Sequence, residues 1–184
     1  MMTPRTVRAA TCPNALLVAL CVIIWAGCTG EGKPLEAGSL AAQPLGSHEC
    51  AACGMIVSEQ PAPRAQLVHR DGTRSFLCSV GDLLAYADAP SPSGAPVAIH
   101  VETLDPAQDA VRTDTGERPW HAAEQTRFVV GVAREGVMGE PYVTFVEQGD
   151  AERVAGQHPG AEVMGWKDVN ARWKARQRSG DGPR

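Results

Sequence analysis

The chain has 184 residues and a formal net charge of −4, with 17 lysines and arginines against 21 aspartates and glutamates. This acidic balance argues against nucleic acid as a partner, because binding to phosphate groups requires an excess of basic side chains. The length is enough for one ordinary domain or two small units. The sequence contains no phosphate-binding glycine loop and no serine nucleophile elbow, so enzyme classes built on those motifs are not favoured.

Residues 1–27 are typical of a lipoprotein export signal. Arg5 and Arg8 precede a short apolar run that is too brief to span a membrane. The run ends in Trp25-Ala26-Gly27-Cys28, which resembles the lipobox of bacterial lipoproteins, whose cysteine is lipidated and becomes the new N-terminus. We therefore predict lipidation of Cys28 and anchoring to a bacterial membrane, facing the periplasm. Cleavage would leave 157 residues with a formal charge of −6, because the leader holds two arginines and no acid.

Two further segments have compositions that do not predict a core. Residues 28–47 contain several prolines and glycines and few bulky apolar side chains, which indicates a flexible tether. Residues 171–184 are rich in arginine and contain glycine, aspartate and proline near their end, which indicates a basic disordered tail. The folded body is therefore expected between them.

The segment His48-Glu49-Cys50-Ala51-Ala52-Cys53-Gly54-Met55 places two thiols, an imidazole and a thioether within eight residues. These are ligands that the soft ion Cu(I) prefers, although the cysteine pair alone also fits a zinc half-site or a redox dithiol. Gly54 allows a tight turn, and it stands where covalent haem attachment would require histidine. We predict metal ligands at Cys53, Cys50 and Met55, with His48 as the best imidazole candidate.

Residues 48–105 predict a first small unit that contains this motif. Asp71-Gly72 is a dipeptide favoured in two-residue hairpin turns, and it separates two runs with strand composition. Ser79 offers an N-cap for a short helix with apolar residues at helical spacing. After a loop rich in proline and serine, a run of alternating apolar and polar residues predicts a strand. The predicted elements are strands 65–70 and 73–78, helix 79–87 and strand 97–101.

The predicted hairpin assigns partners to its residues. A two-residue closure pairs Leu67 with Phe76 and Ala65 with Cys78. Cys78 is then expected to be a core thiol. His69 would lie beside the turn, in solvent.

Residues 127–170 repeat the same order after a linker at 106–126. Phe76 and Phe145, and likewise Asp82 and Asp150, stand 69 and 68 residues apart, so like elements recur at a nearly constant spacing. We predict an α+β fold with a tandem repeat of two small strand-strand-helix-strand units packed together. Met138, in the predicted turn of the second unit, could supply a second thioether to the motif of the first unit. The predicted elements of this unit are strands 127–133, 142–146 and 161–166, and a helix from 150.

The Cys-x-x-Cys-Gly-Met motif, the lipobox-like start and the doubled unit together resemble the NosL family. The resemblance covers about residues 48–170, including 76–86 and 163–169. It implies a fold of two similar α+β units, also likened to the organomercurial-lyase fold. It also implies a membrane-anchored copper chaperone, not an enzyme, with nitrous oxide reductase as client and a copper exporter or assembly complex as source.

The chain departs from the family pattern in one place. Family members often carry a His-Pro-Gly type segment shortly after the motif, whereas residues 58–64 hold no histidine. A histidine ligand would therefore have to come from elsewhere.

Two alternatives fit the same cysteines. A zinc-stabilised exported domain would use Cys50, Cys53, Cys78 and one histidine, and removal of the metal would unfold it. A thiol-disulfide oxidoreductase would use Cys50 as nucleophile and Cys53 as its partner. The second alternative lacks the strand-helix setting typical of thioredoxin-like motifs, because an apolar strand follows Cys53.

Overall fold

The computed structural model describes residues 40–61, 63–137 and 140–180, so the predicted leader, Cys28 and Met138 lie outside the described residues. Over these ranges the chain forms two antiparallel sheets and three α-helices. No helix in the described ranges is long and apolar enough to cross a membrane. The strands are β1 Ala65–His69, β2 Arg74–Leu77, β3 Pro96–Glu102, β4 Trp120–Ala122, β5 Arg127–Val130, β6 Tyr142–Phe145 and β7 Glu162–Gly165. The helices are α1 Val80–Asp88, α2 Gln148–Gln157 and α3 Trp166–Ser179.

The two sheets share a connectivity. The first has the order β2-β1-β3-β4 and the second the order β6-β5-β7. In each, two strands, a helix and a third strand follow one another along the chain, and the first strand lies between the other two. The predicted α+β class is confirmed. The tandem repeat stays a prediction, since the predicted linker 106–126 contributes the extra strand β4 to the first sheet only.

Strand β5 lies between two hydrophobic clusters. Phe128 and Val130 belong to a core cluster that also contains residues of the first sheet and of α1. Val129 belongs to a second cluster that includes Ala151 and Val154 of α2. Successive strand residues point to opposite faces, so the alternating apolar residues of β5 are buried on both sides. This arrangement joins the two predicted units through a shared core.

The hairpin register differs by one residue from the prediction. Leu67 pairs with Ser75 and Gln66 with Phe76, because the turn is closed by a hydrogen bond from His69 N–H to the Thr73 carbonyl. Three residues form the loop, and the last of them is a glycine with φ of +88°. A slip of one residue exchanges the two faces of a strand. His69 is buried rather than solvated, because all five residues of β1 are buried, and its Nδ1 is bonded to the Gly94 carbonyl and its Nε2 to Ser75 Oγ.

The predicted flexible tether 28–47 is wrong for residues 40–47. The backbone of Gln43 exchanges two hydrogen bonds of 2.9 Å with the buried side chain of Gln66. Leu45 is buried in the core, and the carbonyl of Leu40 is bonded to His100 Nε2 at 2.7 Å. This docking was not predictable from the sequence, because the leucines at 35, 40 and 45 stand among glycines, alanines and prolines without helix or strand periodicity.

The predicted disordered tail 171–184 is also wrong up to Ser179. Helix α3 continues through this segment, and Val169 and Trp173, four residues apart, bury one side of it against the core. Gly180 follows with φ of +77°, the left-handed conformation typical of a helix C-terminus. The many arginines lie on the remaining faces of the helix, so their number did not indicate disorder.

Candidate metal centre

The cysteine motif forms a tight loop against the edge of the first sheet. Cys50 N–H donates to the Met55 carbonyl at 2.7 Å, and Gly54 N–H donates to the Cys50 carbonyl at 2.8 Å. Gly54 has φ of +78°, which agrees with its predicted role in the turn. Ala51 N–H donates to the Phe76 carbonyl at 2.9 Å, so the loop is held on β2.

The junction between β2 and α1 supplies a third thiol. Cys78 follows directly after β2, and its backbone N–H donates to Cys50 Sγ at 3.3 Å. Ser79 then caps α1, because its side-chain oxygen accepts a hydrogen bond from Asp82 N–H at 3.0 Å. The cap places Asp82 in the first helical turn, immediately beyond the thiols.

Four side chains meet at this point. One ligand atom from each of Cys50, Cys53, Cys78 and Asp82 lies within 4.8 Å of all the others. The Sγ atoms of Cys53 and Cys78 lie 3.5 Å apart. Cys50 and Cys78 are buried, whereas Cys53 is exposed. The cluster therefore has two inner thiols and one thiol at the surface.

The environment favours the neutral forms of these groups. Burial raises the pKa of the Cys78 thiol, and the neighbouring thiols of Cys50 and Cys53 raise it further. Burial also raises the pKa of Cys53, although a hydrogen bond from the Met55 backbone opposes that rise. Burial raises the pKa of the Asp82 carboxyl group, against the effect of the Ser79 hydrogen bond. A metal ion entering the cluster would have to displace protons from the thiols.

The other predicted ligands lie beside the cluster or outside the described residues. Met55 is partly buried and packs against the core. The exposed imidazole of His48 stacks on the Phe76 ring, with centroids 4.0 Å apart and an interplanar angle of 7°. His48 is not one of the four side chains that converge. Met138 is not described.

The sequence predicts Cys78 as a core thiol, and as a ligand only in the zinc alternative. The structure places it both in the core and in the cluster. The sequence signal was present: a cysteine directly before a helix cap, with an acidic residue at the third helical position, brings a thiol and a carboxylate to one end of a helix. The missing information was that the motif loop docks at that end.

The cluster offers three soft sulfur ligands and one hard oxygen ligand. A thiol set of this kind favours Cu(I), while a tetrahedral set of sulfur and carboxylate oxygen also fits Zn(II). One face of the cluster is open, because Cys53 is exposed. A bound ion would therefore be accessible to a second protein.

Comparisons with known proteins agree with this chemistry. A model of the NosL family matches residues 42–173. The copper-binding lipoprotein NosL of Stutzerimonas stutzeri is 28% identical over 162 residues, covering 82% of this chain and 78% of the relative. The copper-binding lipoprotein NosL of Achromobacter cycloclastes is 27% identical over 157 residues, covering 84% and 78%. The crystal structure of the copper chaperone NosL from Shewanella denitrificans matches with a TM-score of 0.58 and 26% identity, covering 70% of this chain and 94% of that one. The match over residues 42–173, most of the chain, shows that this protein belongs to the NosL family.

Proposed function

We propose that this chain is a Cu(I) carrier that delivers copper to a cuproenzyme by ligand exchange and catalyses no reaction. The observation that carries the proposal is the convergence of three thiols from two separate segments, Cys50 and Cys53 in the motif loop and Cys78 before α1. Three thiolates suit a soft monovalent ion. The names of the relatives, copper-binding lipoprotein and copper chaperone, support copper as the cargo.

The burial of the three thiols suggests how the cargo would leave. Cys50 and Cys78 hold the ion from the protein side, while Cys53 holds it from the exposed side. A sulfur or nitrogen ligand of the client would approach from that open side and enter the coordination shell. Cys53 would then be the first ligand released, and copper would pass through an intermediate shared by the two proteins.

We extend the ligand set to Met55, His48 and Met138 as groups that assist this exchange. Met55 and His48 flank the thiols in the motif loop, and the His48 ring lies on Phe76, whose backbone holds that loop. Met138 is included for its position in the second unit, where the sequence predicts a turn. Thioether and imidazole groups bind copper less strongly than thiolates do, which suits ligands of a transient state.

We propose that the protein acts at a bacterial membrane, anchored through a lipid on Cys28 and facing the periplasm. The relatives are named lipoproteins, which supports this location. The anchor would keep the carrier close to a copper exporter or assembly complex. The proposed client is nitrous oxide reductase, as the family resemblance implies.

Substitution of the thiols tests the proposal. In an anaerobic competition with a Cu(I) chelator, we expect one tightly bound Cu(I) per chain. Cys53→Ser and Cys78→Ser should each weaken binding by at least about tenfold, which corresponds to ~1.4 kcal/mol. Ala123→Ser is a matched control, because it adds a hydroxyl to the same core cluster beyond β4, at the far edge of the sheet from β2.

The control should bind copper like the wild type. If Cys53→Ser and Cys78→Ser compete for Cu(I) as well as the wild type does, the thiol cluster is not the copper site. A uniform loss in all three variants would point to damaged folding, which circular dichroism would detect.

A second candidate, a zinc-stabilised domain, is favoured by Asp82. The fourth group in the cluster is a carboxylate rather than the histidine of the sequence-based alternative, and zinc accepts both cysteine and aspartate ligands. If zinc were structural, a chelator would unfold the protein. The carrier proposal instead expects the metal-free protein to keep its circular dichroism spectrum and cooperative unfolding.

A further inference from the structure

We infer that Cys53 and Cys78 form a reversible intramolecular disulfide by exchange with a disulfide-bearing partner, and that this bond switches copper binding off. The inference rests on the proposed function, since it concerns the regulation of the same thiol cluster. It names a cysteine pair different from the one that the spacing of the motif suggests. Exported proteins work in oxidising compartments, where disulfides form and persist.

The distances between the sulfur atoms support this pair. Cys53 Sγ and Cys78 Sγ are 3.5 Å apart. A disulfide bond is about 2.05 Å long, so the two atoms need to approach by only about 1.5 Å. Cys53 is exposed and can meet a partner, whereas Cys78 is buried behind it.

The neighbouring backbone can accommodate the approach. Cys53 is followed by Gly54, and no atom lies within 4 Å of the place where a Cβ of that glycine would stand. The turn is therefore open on this side. Cys53 itself is exposed, so its side chain is not enclosed by packed neighbours.

Cys50 is less suited to the bond. Its Sγ accepts the backbone N–H of Cys78 at 3.3 Å, and its own N–H is bonded to the Met55 carbonyl at 2.7 Å. The side chain is buried, so an external disulfide cannot reach it first.

The thiol-disulfide exchange takes place in two steps. The Cys53 thiolate attacks one sulfur of the partner's disulfide, a mixed disulfide forms, and the partner's other sulfur leaves as a thiolate. The Cys78 thiolate then attacks the Cys53 sulfur, the bond between Cys53 and Cys78 forms, and the partner's second sulfur leaves. Two electrons pass to the partner, and the two protons lost by the cysteines end on its two thiols.

The bond would remove two of the three thiolates from the cluster. Cys50 alone, with the Asp82 carboxylate beside it, is a poor site for Cu(I). Reduction by a dithiol would restore all three thiols. The carrier would then accept copper only after reduction.

Peptide mapping tests the pair directly. The full chain is incubated without metal in oxidised glutathione, its remaining thiols are blocked, and it is digested with trypsin. Cleavage after Arg64, Arg70 and Arg74 separates Cys53 from Cys78 but leaves Cys50 and Cys53 on one peptide. The peptide that ends at Arg64 also carries Cys12, Cys21 and Cys28 in the full chain, so Cys53→Ser is needed to assign the bond. We expect a disulfide-linked pair of peptides in the wild type and in Cys50→Ser, and none in Cys53→Ser or in Cys78→Ser.

Copper titration completes the test. The oxidised chain should bind no Cu(I) at the cluster, and treatment with a dithiol should restore one Cu(I) per chain. The inference is overturned if the product is an internal bond between Cys50 and Cys53, if glutathione remains attached to Cys53, or if the linked protein still binds copper. If the reduced protein binds no copper, the proposed function itself fails. If the reduced protein binds copper but no linked peptides form, only this inference fails.

Discussion

Asp82 makes the thiol cluster chemically different from a site built of sulfur alone. Its Oδ2 is buried and has no hydrogen-bond partner among the described residues. Burial raises the pKa of this carboxyl group, although Ser79 opposes the rise. A hard oxygen ligand beside three soft sulfur ligands should raise the affinity most for an ion that binds both kinds of ligand. Asp82 therefore bears on which metal the cluster selects.

Replacement of Asp82 by asparagine should separate the two metals. We expect Asp82→Asn to lower the affinity for Zn(II) by at least about tenfold, because zinc loses its carboxylate ligand. Cu(I) affinity should change by less than about threefold, since the three thiolates remain. Parallel competition titrations of the two ions, with the wild type as reference, give the comparison. An equal loss for both ions would contradict a role limited to the hard ligand.

Helix α3 anchors the C-terminal segment to the shared core. Val169 and Trp173 are buried in the same cluster as Phe128 of β5, and Arg176 forms an ion pair with Glu140. The helix therefore depends on tertiary contacts more than on its own composition, as most protein helices do. Val169 and Trp173 belong to a cluster that contains residues of both predicted units.

Truncation of the buried tryptophan tests the role of α3. We expect Trp173→Ala to lower the free energy of unfolding by ~3–5 kcal/mol, because a large buried side chain is lost and a cavity remains. Gln177→Ala, on an exposed position of the same helix, is the control and should change it by less than about 0.5 kcal/mol. Urea unfolding followed by circular dichroism measures both. A change below about 1 kcal/mol in Trp173→Ala would mean that the helix contributes little.

The elements with strong local signals were predictable from the sequence. Strand alternation, the Ser79 cap and the turn at Asp71-Gly72 located β1, β2, α1 and β3 within a few residues. The length of the hairpin loop was not predictable, since a glycine at the end of a three-residue loop and a two-residue turn leave the same sequence signal. The error of one residue changed the cross-strand partner of Leu67 from Phe76 to Ser75.

Features that depend on distant contacts could not be predicted from the sequence. Leu45 carries no local pattern, and it becomes part of the core only because other segments cover it. The candidate metal site also depends on a contact between distant segments. Cys50 and Cys53 were visible as a motif, whereas Cys78 joined them through the docking of that motif on β2.

A buried ion pair connects several segments of the whole molecule. The side chains of Arg64 and Glu102 are both 0% exposed and lie 2.6 Å apart. Arg64 also donates to the carbonyls of Thr115 and Gly116 in the predicted linker, and Glu102 accepts the backbone N–H of Arg118. The pair thus holds the segment between β3 and β4 against the strand that follows the motif.

Removal of one charge of this pair should destabilise the whole fold. We expect Glu102→Gln to lower the free energy of unfolding by ~3–5 kcal/mol, because the Arg64 guanidinium stays buried without its counter-charge. Glu162→Gln breaks the surface pair with Arg172, in which both side chains are at least 35% exposed, and should cost less than about 1 kcal/mol. Equal effects of the two variants in urea unfolding would contradict this account.

The three-thiolate site is the central claim about the whole molecule, and copper K-edge X-ray absorption tests it most directly. The wild type, loaded anaerobically with one Cu(I) per chain, should show three sulfur ligands and no nitrogen or oxygen ligand. The spectrum of Cys78→Ser should show the loss of one sulfur. A wild-type spectrum with two sulfurs, or an unchanged spectrum in Cys78→Ser, would contradict the account.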